Sequence, residues 1–226
     1  MSGRKQILVA VTNQRMITAT YRSGLWFEEF AVPYRAFTAA GYEVTVASPL
    51  GGVGPVDPRS MPRPEDVPAW LDVIELLVET RVLAEFDSAD FDAIFLPGGH
   101  GAMFDLPHCV ALHQLLREFA RADKVIATVC HGAAGLIGAE GARGGPLVEG
   151  RRITAFTDEE ERATKLDQVM PFLLERELRA RGAAFVAQPS WSDHVERDGM
   201  LITGQNPQSS ASIAQAMIAA LEPQLS

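Results

Sequence analysis

An α/β protein with a doubly wound, mostly parallel sheet and helices on both faces is the fold class this sequence predicts. Three observations carry it: short branched-apolar runs recur along the chain, helix-period patterns alternate with them, and glycine-rich turns follow several of the runs. At 226 residues, 47% hydrophobic and 22% charged, the chain matches one domain of that class rather than a disordered or fibrous polymer. No repeat, low-complexity tract or linker divides it, so residues 1–226 are read as a single domain.

Ile7-Leu8-Val9-Ala10-Val11 is an apolar run suited to a strand buried on both faces, and Tyr42 to Ala47 is a second. Between them Trp26, Phe27, Phe30, Ala31, Tyr34 and Phe37 recur at helical spacing. Gly41 is placed to end that helix, and Pro33 predicts either its start or a kink. Gly51 to Arg63 is dense in glycine and proline and predicts a surface excursion without regular structure; the chain as far as Asp87 has no readable pattern. Asp92 to Leu96 gives a third strand, ending in Pro97-Gly98-Gly99-His100-Gly101. A helix over Ala111 to Arg121, a strand over Val125 to Val129 and the small-residue start of another helix at Gly132 to Ile137 follow. Arg152 to Phe156 reads as a strand, Val169 to Arg181 as a helix stopped by Gly182, and Ala184 to Ala187 as a short strand. Arg197-Asp198-Gly199 signals a hairpin before the strand Met200 to Thr203, and Ser209 to Leu221 is an alanine-rich helix.

Composition excludes several function classes. The formal net charge of −9 repels phosphate backbones, so no nucleic-acid partner is expected. No apolar run nears the ~18 residues of a membrane span, and the short polar lead Met1 to Lys5 lacks the charged-then-apolar layout of a signal peptide. Cys109 and Cys130 are too few for a secreted disulfide framework, which predicts a cytoplasmic setting with free thiols.

The chemistry concentrates in Ala127-Thr128-Val129-Cys130-His131-Gly132-Ala133-Ala134-Gly135, an apolar strand entering a helix through a turn flanked by small residues. Such a turn lifts a side chain above the carboxyl edge of the sheet, and amides at a helix start favour a thiolate over a thiol. Cys130 is therefore the candidate nucleophile, set against the plainer alternative of a buried structural cysteine. His131 can reach the same site at a bend and is the candidate proton carrier, the alternative being a cap or surface histidine. Pro97 to Gly101 is the expected opposite wall. Gly98, Gly99 and His100 are its substrate-binding candidates, and the amides of Gly99 and His131 form the expected oxyanion hole. The run matches neither the Walker nor the dinucleotide glycine pattern. His194-Val195-Glu196 has the H-x-E spacing that completes some cysteine triads, but its polar setting before a turn signal predicts a solvent-facing hairpin. Trp191 can line a pocket, although an isolated tryptophan more often packs. His100, His108 and His113 match no zinc spacing, so no metal is assigned.

Ala127 to Gly132, Leu96 to Gly101 and Glu29-Phe30-Ala31-Val32-Pro33 together resemble the ThiJ/PfpI superfamily, whose fold is flavodoxin-like and class I glutamine amidotransferase-like. Glu149 to Glu161 and Gly204-Gln205-Asn206-Pro207 resemble its branch of heat-shock chaperones and glutathione-independent glyoxalases (glyoxalase III). The likeness spans Ile7 to Leu221. It implies Cys130 as nucleophile with His131 beside it, and Glu29 as a protonated acid touching the sulfur. It also implies Glu161 as the acidic partner of the histidine, with Asp158, Glu159 and Glu160 competing for that role. Without the resemblance, Glu29 reads as a solvated helix glutamate and the acidic run as a solvated helix start. The implied reaction converts methylglyoxal or glyoxal to the 2-hydroxy acid through a Cys130 hemithioacetal, with no cofactor. The implied partners are the small aldehyde and a second copy of the chain in a homodimer, and the resemblance also implies stress-protective or deglycase-like activity. Amide hydrolysis by the same thiolate and a non-enzymatic chaperone or redox sensor are the competing readings.

Overall fold

The structure, a computed structural model, describes residues 4–222; Met1 to Gly3 of the polar lead lie outside the described residues. In chain order the elements are β1 (Gln6–Ala10), α1 (Phe27–Ala39), β2 (Glu43–Ser48), α2 (Val67–Glu75), β3 (Arg81–Val82), β4 (Ala93–Leu96), α3 (Ala102–Asp105) and α4 (Val110–Arg121). They continue with β5 (Val125–Val129), β6 (Arg152–Ile153), α5 (Asp158–Thr164), α6 (Leu174–Ala180), β7 (Ala184–Phe185), β8 (Val195–Asp198), β9 (Leu201–Gly204) and α7 (Ser210–Leu221). Seven strands form one sheet in the order β3-β2-β1-β4-β5-β9-β8, parallel except for β8, which runs antiparallel to β9. β6 and β7 pair in parallel as a separate ribbon.

β4 and β5 are buried at every position, the burial that continuous apolar runs produce in a strand covered on both faces. The chain steps one way from β1 to β2 and the other way from β4 to β5, so right-handed crossovers set α1 and α4 on opposite faces. That reversal opens a crevice at the carboxyl ends of the strands. In the β4–β5 register Leu96 pairs with Thr128, so Gly98 and Cys130, two residues beyond, leave the sheet side by side.

Several elements depart from the sequence pattern. α1 starts at Phe27 and runs through Pro33, which has no N–H to give the Glu29 carbonyl one turn back. Gly51 to Arg63 has no helix or strand, as predicted, but α2 and the edge strand β3 follow it unannounced. Cys130–Leu136 winds as a 3-10 helix rather than an α-helix, its small residues permitting the tighter turn. α6 begins at Leu174 because Pro171 breaks the pattern upstream. β6 stops after Ile153, where the Thr154 N–H turns to the Thr203 hydroxyl at 2.9 Å, and β7 stops at Phe185. Among the described residues no helix is long and apolar enough to cross a membrane.

Candidate active site

Cys130 directly follows β5 with a left-handed backbone, φ 57. A non-glycine residue there carries roughly 1 kcal/mol or more of strain, and the conformation swings its side chain out of the ladder. Two glycines permit this. A Cβ on Gly132 would stand 2.1 Å from the Leu96 carbonyl oxygen, and one on Gly98 would stand 2.6 Å from the His131 nitrogen.

The sulfur of Cys130 lies 3.2 Å from His131 Nδ1, and His131 Nε2 lies 2.6 Å from Glu161 Oε2. The other oxygen of Glu161 accepts from His100 Nε2 at 2.9 Å and from the Thr164 hydroxyl at 3.1 Å. All four of Cys130, His131, His100 and Glu161 are buried. Both imidazoles must carry hydrogen on Nε2 to donate to one carboxylate, which leaves His131 Nδ1 as a lone pair facing the sulfur. Burial alone would raise Glu161. The electrostatic pull of His131 and the hydrogen bonds from the two histidines outweigh it and hold the carboxyl well below the usual carboxylate range. Burial first, and the neighbouring His131 second, push His100 down to about 4. It therefore donates to Glu161 as a neutral ring, its centroid 4.2 Å from that of His131.

Glu29, in the first turn of α1, is fully buried. Its Oε2 accepts the Gly98 N–H at 2.7 Å, and Oε1 has no nitrogen or oxygen partner among the described residues. Burial raises this carboxyl to about 8, against the lowering effect of its hydrogen bonds with Cys130 and Gly98. At neutral pH it is an acid, and with Oε2 occupied as an acceptor its proton resides on Oε1, available to the sulfur. Burial also pushes the Cys130 thiol up, followed by the charge and hydrogen bond of Glu29, while the His131 amide pulls it down. Burial thus works against the thiolate expected of the helix start, while the His131 amide of the 3-10 segment favours it.

A model of the DJ-1/PfpI family matches residues 24–220. The chain belongs to the DJ-1/PfpI family. Among its relatives is a glutathione-independent glyoxalase, hsp3101 of Schizosaccharomyces pombe, 31% identical over 87% of this chain and 86% of that one. The crystal structure of glyoxalase III from Candida albicans superposes with a TM-score of 0.89 at 27% identity, covering 96% of this chain and 98% of the other. The protein/nucleic acid deglycase HchA of Pseudomonas aeruginosa is 26% identical over 95% of this chain and 80% of its own.

In this DJ-1/PfpI chain a cavity of about 70 Å³ opens over the sulfur, walled by Trp26, Phe156, Trp191 and Pro207, with Gly99 and His100 on the strand side. Trp191 is therefore a pocket wall rather than packing alone. Gly98 is not a wall, contrary to the sequence reading: its N–H is committed to Glu29 and its carbonyl accepts from the Trp26 N–H at 3.0 Å. His100 does line the cavity, but its Nε2 is committed to Glu161. Sequence reasoning misses Arg59 at the rim. Its guanidinium grips both Asp57 oxygens at 3.0 and 2.7 Å, lies over the Tyr21 and Trp26 rings, and approaches His100 Nδ1 at 3.4 Å. The only trace of it in the sequence is an Asp-x-Arg pair inside the unpatterned excursion.

The H-x-E segment forms the predicted hairpin edge, yet Glu196 is buried rather than solvent-facing. Strand alternation in β8 turns it inward, where it meets Arg152 Nε at 2.8 Å and His194 Nε2 at 3.2 Å. His194 does not line the cavity. The ligand atoms of His100, His131 and Glu161 lie within 4.8 Å of one another, but as donor and acceptor pairs they already satisfy each other. His113 faces the Leu106 carbonyl instead.

Proposed function

We propose that this chain is a glutathione-independent glyoxalase that adds water to a short 2-oxoaldehyde, methylglyoxal or glyoxal, to give the 2-hydroxy acid. The observation that carries the reading is the relay from Cys130 through His131 to Glu161, opening on a cavity of about 70 Å³. The aromatic walls standing close over the sulfur suit a substrate of a few heavy atoms. The names borne by the relatives support the same chemistry.

In the reaction, His131 Nδ1 takes the thiol proton as the sulfur attacks the aldehyde carbon. The amides of Gly99 and His131 hold the developing oxyanion, which then receives that proton to complete the hemithioacetal. His131 next removes the hydrogen from the former aldehyde carbon, giving an enediolate, and returns it to the adjacent carbon to leave a thioester. Water cleaves the thioester, releasing the hydroxy acid and restoring the thiol. Glu161 holds the imidazole in the tautomer that accepts at Nδ1 and balances its charge. Glu29 donates to the sulfur whenever the sulfur bears charge.

Wild-type protein is expected to form lactate from methylglyoxal without added thiol; absence of turnover overturns the proposal. His194→Ala is expected to retain wild-type kcat/KM, because the His194–Glu196 pair braces a hairpin. An inactive His194→Ala with an active His131→Ala would instead support amide hydrolysis through the H-x-E pair.

The acid role of Glu29 predicts a pH effect of definite sign. As pH rises through about 8, wild type exchanges a donor for an anion beside the sulfur, so an alkaline decline in kcat/KM is expected there. Glu29→Gln keeps a donor that does not titrate and is expected to lack this decline. Superimposable alkaline limbs in the two proteins would remove Glu29 from the mechanism.

A further inference from the structure

Glu160 is a buried carboxyl group that the relay does not use. It is fully buried, and five donors converge on it. Oε2 accepts the Thr157 N–H and hydroxyl, each at 2.9 Å; Oε1 accepts the Trp191 N–H at 2.8 Å, Asn206 Nδ2 at 2.8 Å and Gln205 Nε2 at 3.2 Å. The same two amides reach on to the Gln188 and Ser192 carbonyls at 3.1 and 2.9 Å. The segment 188–192 is therefore sewn to Glu160 at both ends and the middle. In that middle Trp191 has φ 66, a left-handed backbone that a bulky residue adopts only when its surroundings impose it. Its indole packs on Phe156 at 5.6 Å, and Phe156 lies 4.4 Å from the His131 ring.

A tryptophan needed only for packing, 42% exposed, does not require a strained backbone held by a buried carboxyl group. We infer that Trp191 sets the substrate size limit of this site, closing it to 2-oxoaldehydes whose far substituent exceeds a short alkyl group. Glu160 is the positioning residue that fixes Trp191 in place. This rests on the glyoxalase reading for the identity of the substrate, but the size limit itself is a property of access to Cys130.

The test compares phenylglyoxal with methylglyoxal in turnover, and N-phenylmaleimide with iodoacetamide in alkylation of Cys130 read by peptide mass. Trp191→Gly keeps the left-handed backbone without strain. It is expected to raise the large-to-small ratio about tenfold in both assays, the scale on which one apolar group's fit discriminates. Trp191→Phe retains a wall and is expected to keep the large-to-small ratio within about twofold of the wild-type ratio. Glu160→Gln turns an amide N–H₂ toward existing donors and is expected to shift the ratio in the same direction. Combined with Trp191→Gly it adds nothing further, which a general loss of folding would not reproduce. Asn206→Ala, which frees Ser192, serves if Glu160→Gln does not fold. An unchanged alkylation ratio in Trp191→Gly overturns the size limit. A Glu160→Gln that slows both probes equally overturns the positioning role. If wild type turns over neither aldehyde, the function falls and the alkylation ratios still decide the inference.

Discussion

Serine in place of Cys130 is expected to lower kcat/KM for methylglyoxal by roughly a thousandfold or more, the scale seen when a nucleophile is removed. The substitution preserves nearly the same volume, and the left-handed backbone at φ 57 is no harder for serine than for cysteine. The loss is therefore chemical. A hydroxyl ionises far less readily than a thiol, and burial that already holds the thiol above its usual range penalises an alkoxide in the same place. The measurement pairs turnover with thermal unfolding: an unchanged midpoint with abolished lactate formation is the expected result. Residual activity equal to wild type would show that the sulfur is a bystander.

Glutamine in place of Glu161 is expected to cost about a thousandfold to ten-thousandfold, comparable to losses when a triad imidazole is left in the wrong tautomer. The carboxylate accepts from His131 Nε2 and from His100 Nε2 through different oxygens. An amide has one oxygen to offer, so one ring faces a donor and must reverse its tautomer. If that ring is His131, its hydrogen moves to Nδ1, 3.2 Å from the sulfur, and the site loses its proton acceptor. His131→Ala is expected to be about as damaging, and the double substitution little worse than either, because the two act as one unit. Retention of more than about a tenth of wild-type kcat/KM by Glu161→Gln would be too small a loss for a tautomer error and would break the relay.

The strands near the site were legible because burial on both faces demands uninterrupted apolar residues, and β5 matches its predicted range. Cys130 and His131 stood out for the same reason: they end such a run, and small residues follow. Glu29 and Glu161 could not be read from their own surroundings. Each lies in the first turn of a helix, where an acidic residue is favourable with or without function. Of the run Asp158 to Glu161, the first two reach the surface and the last two are buried, a division that only the packing of α5 reveals. Arg59 was illegible because its segment has no periodicity, and Glu196 misled because its cation, Arg152, is remote in sequence. The depth at which the thiol is buried could not be read from the turn alone, because burial is a tertiary quantity.

Backbone rests directly on backbone where Gly132 meets the Leu96 carbonyl and Gly98 meets the His131 nitrogen. Such a seam has no side chains to repack, so drift elsewhere in the chain leaves the spacing of the reactive atoms untouched. The Trp26, Phe156 and Trp191 side chains that wall the cavity project from other segments and take no part in the seam. A lineage built on this seam can exchange one cargo for another while inheriting the same warhead.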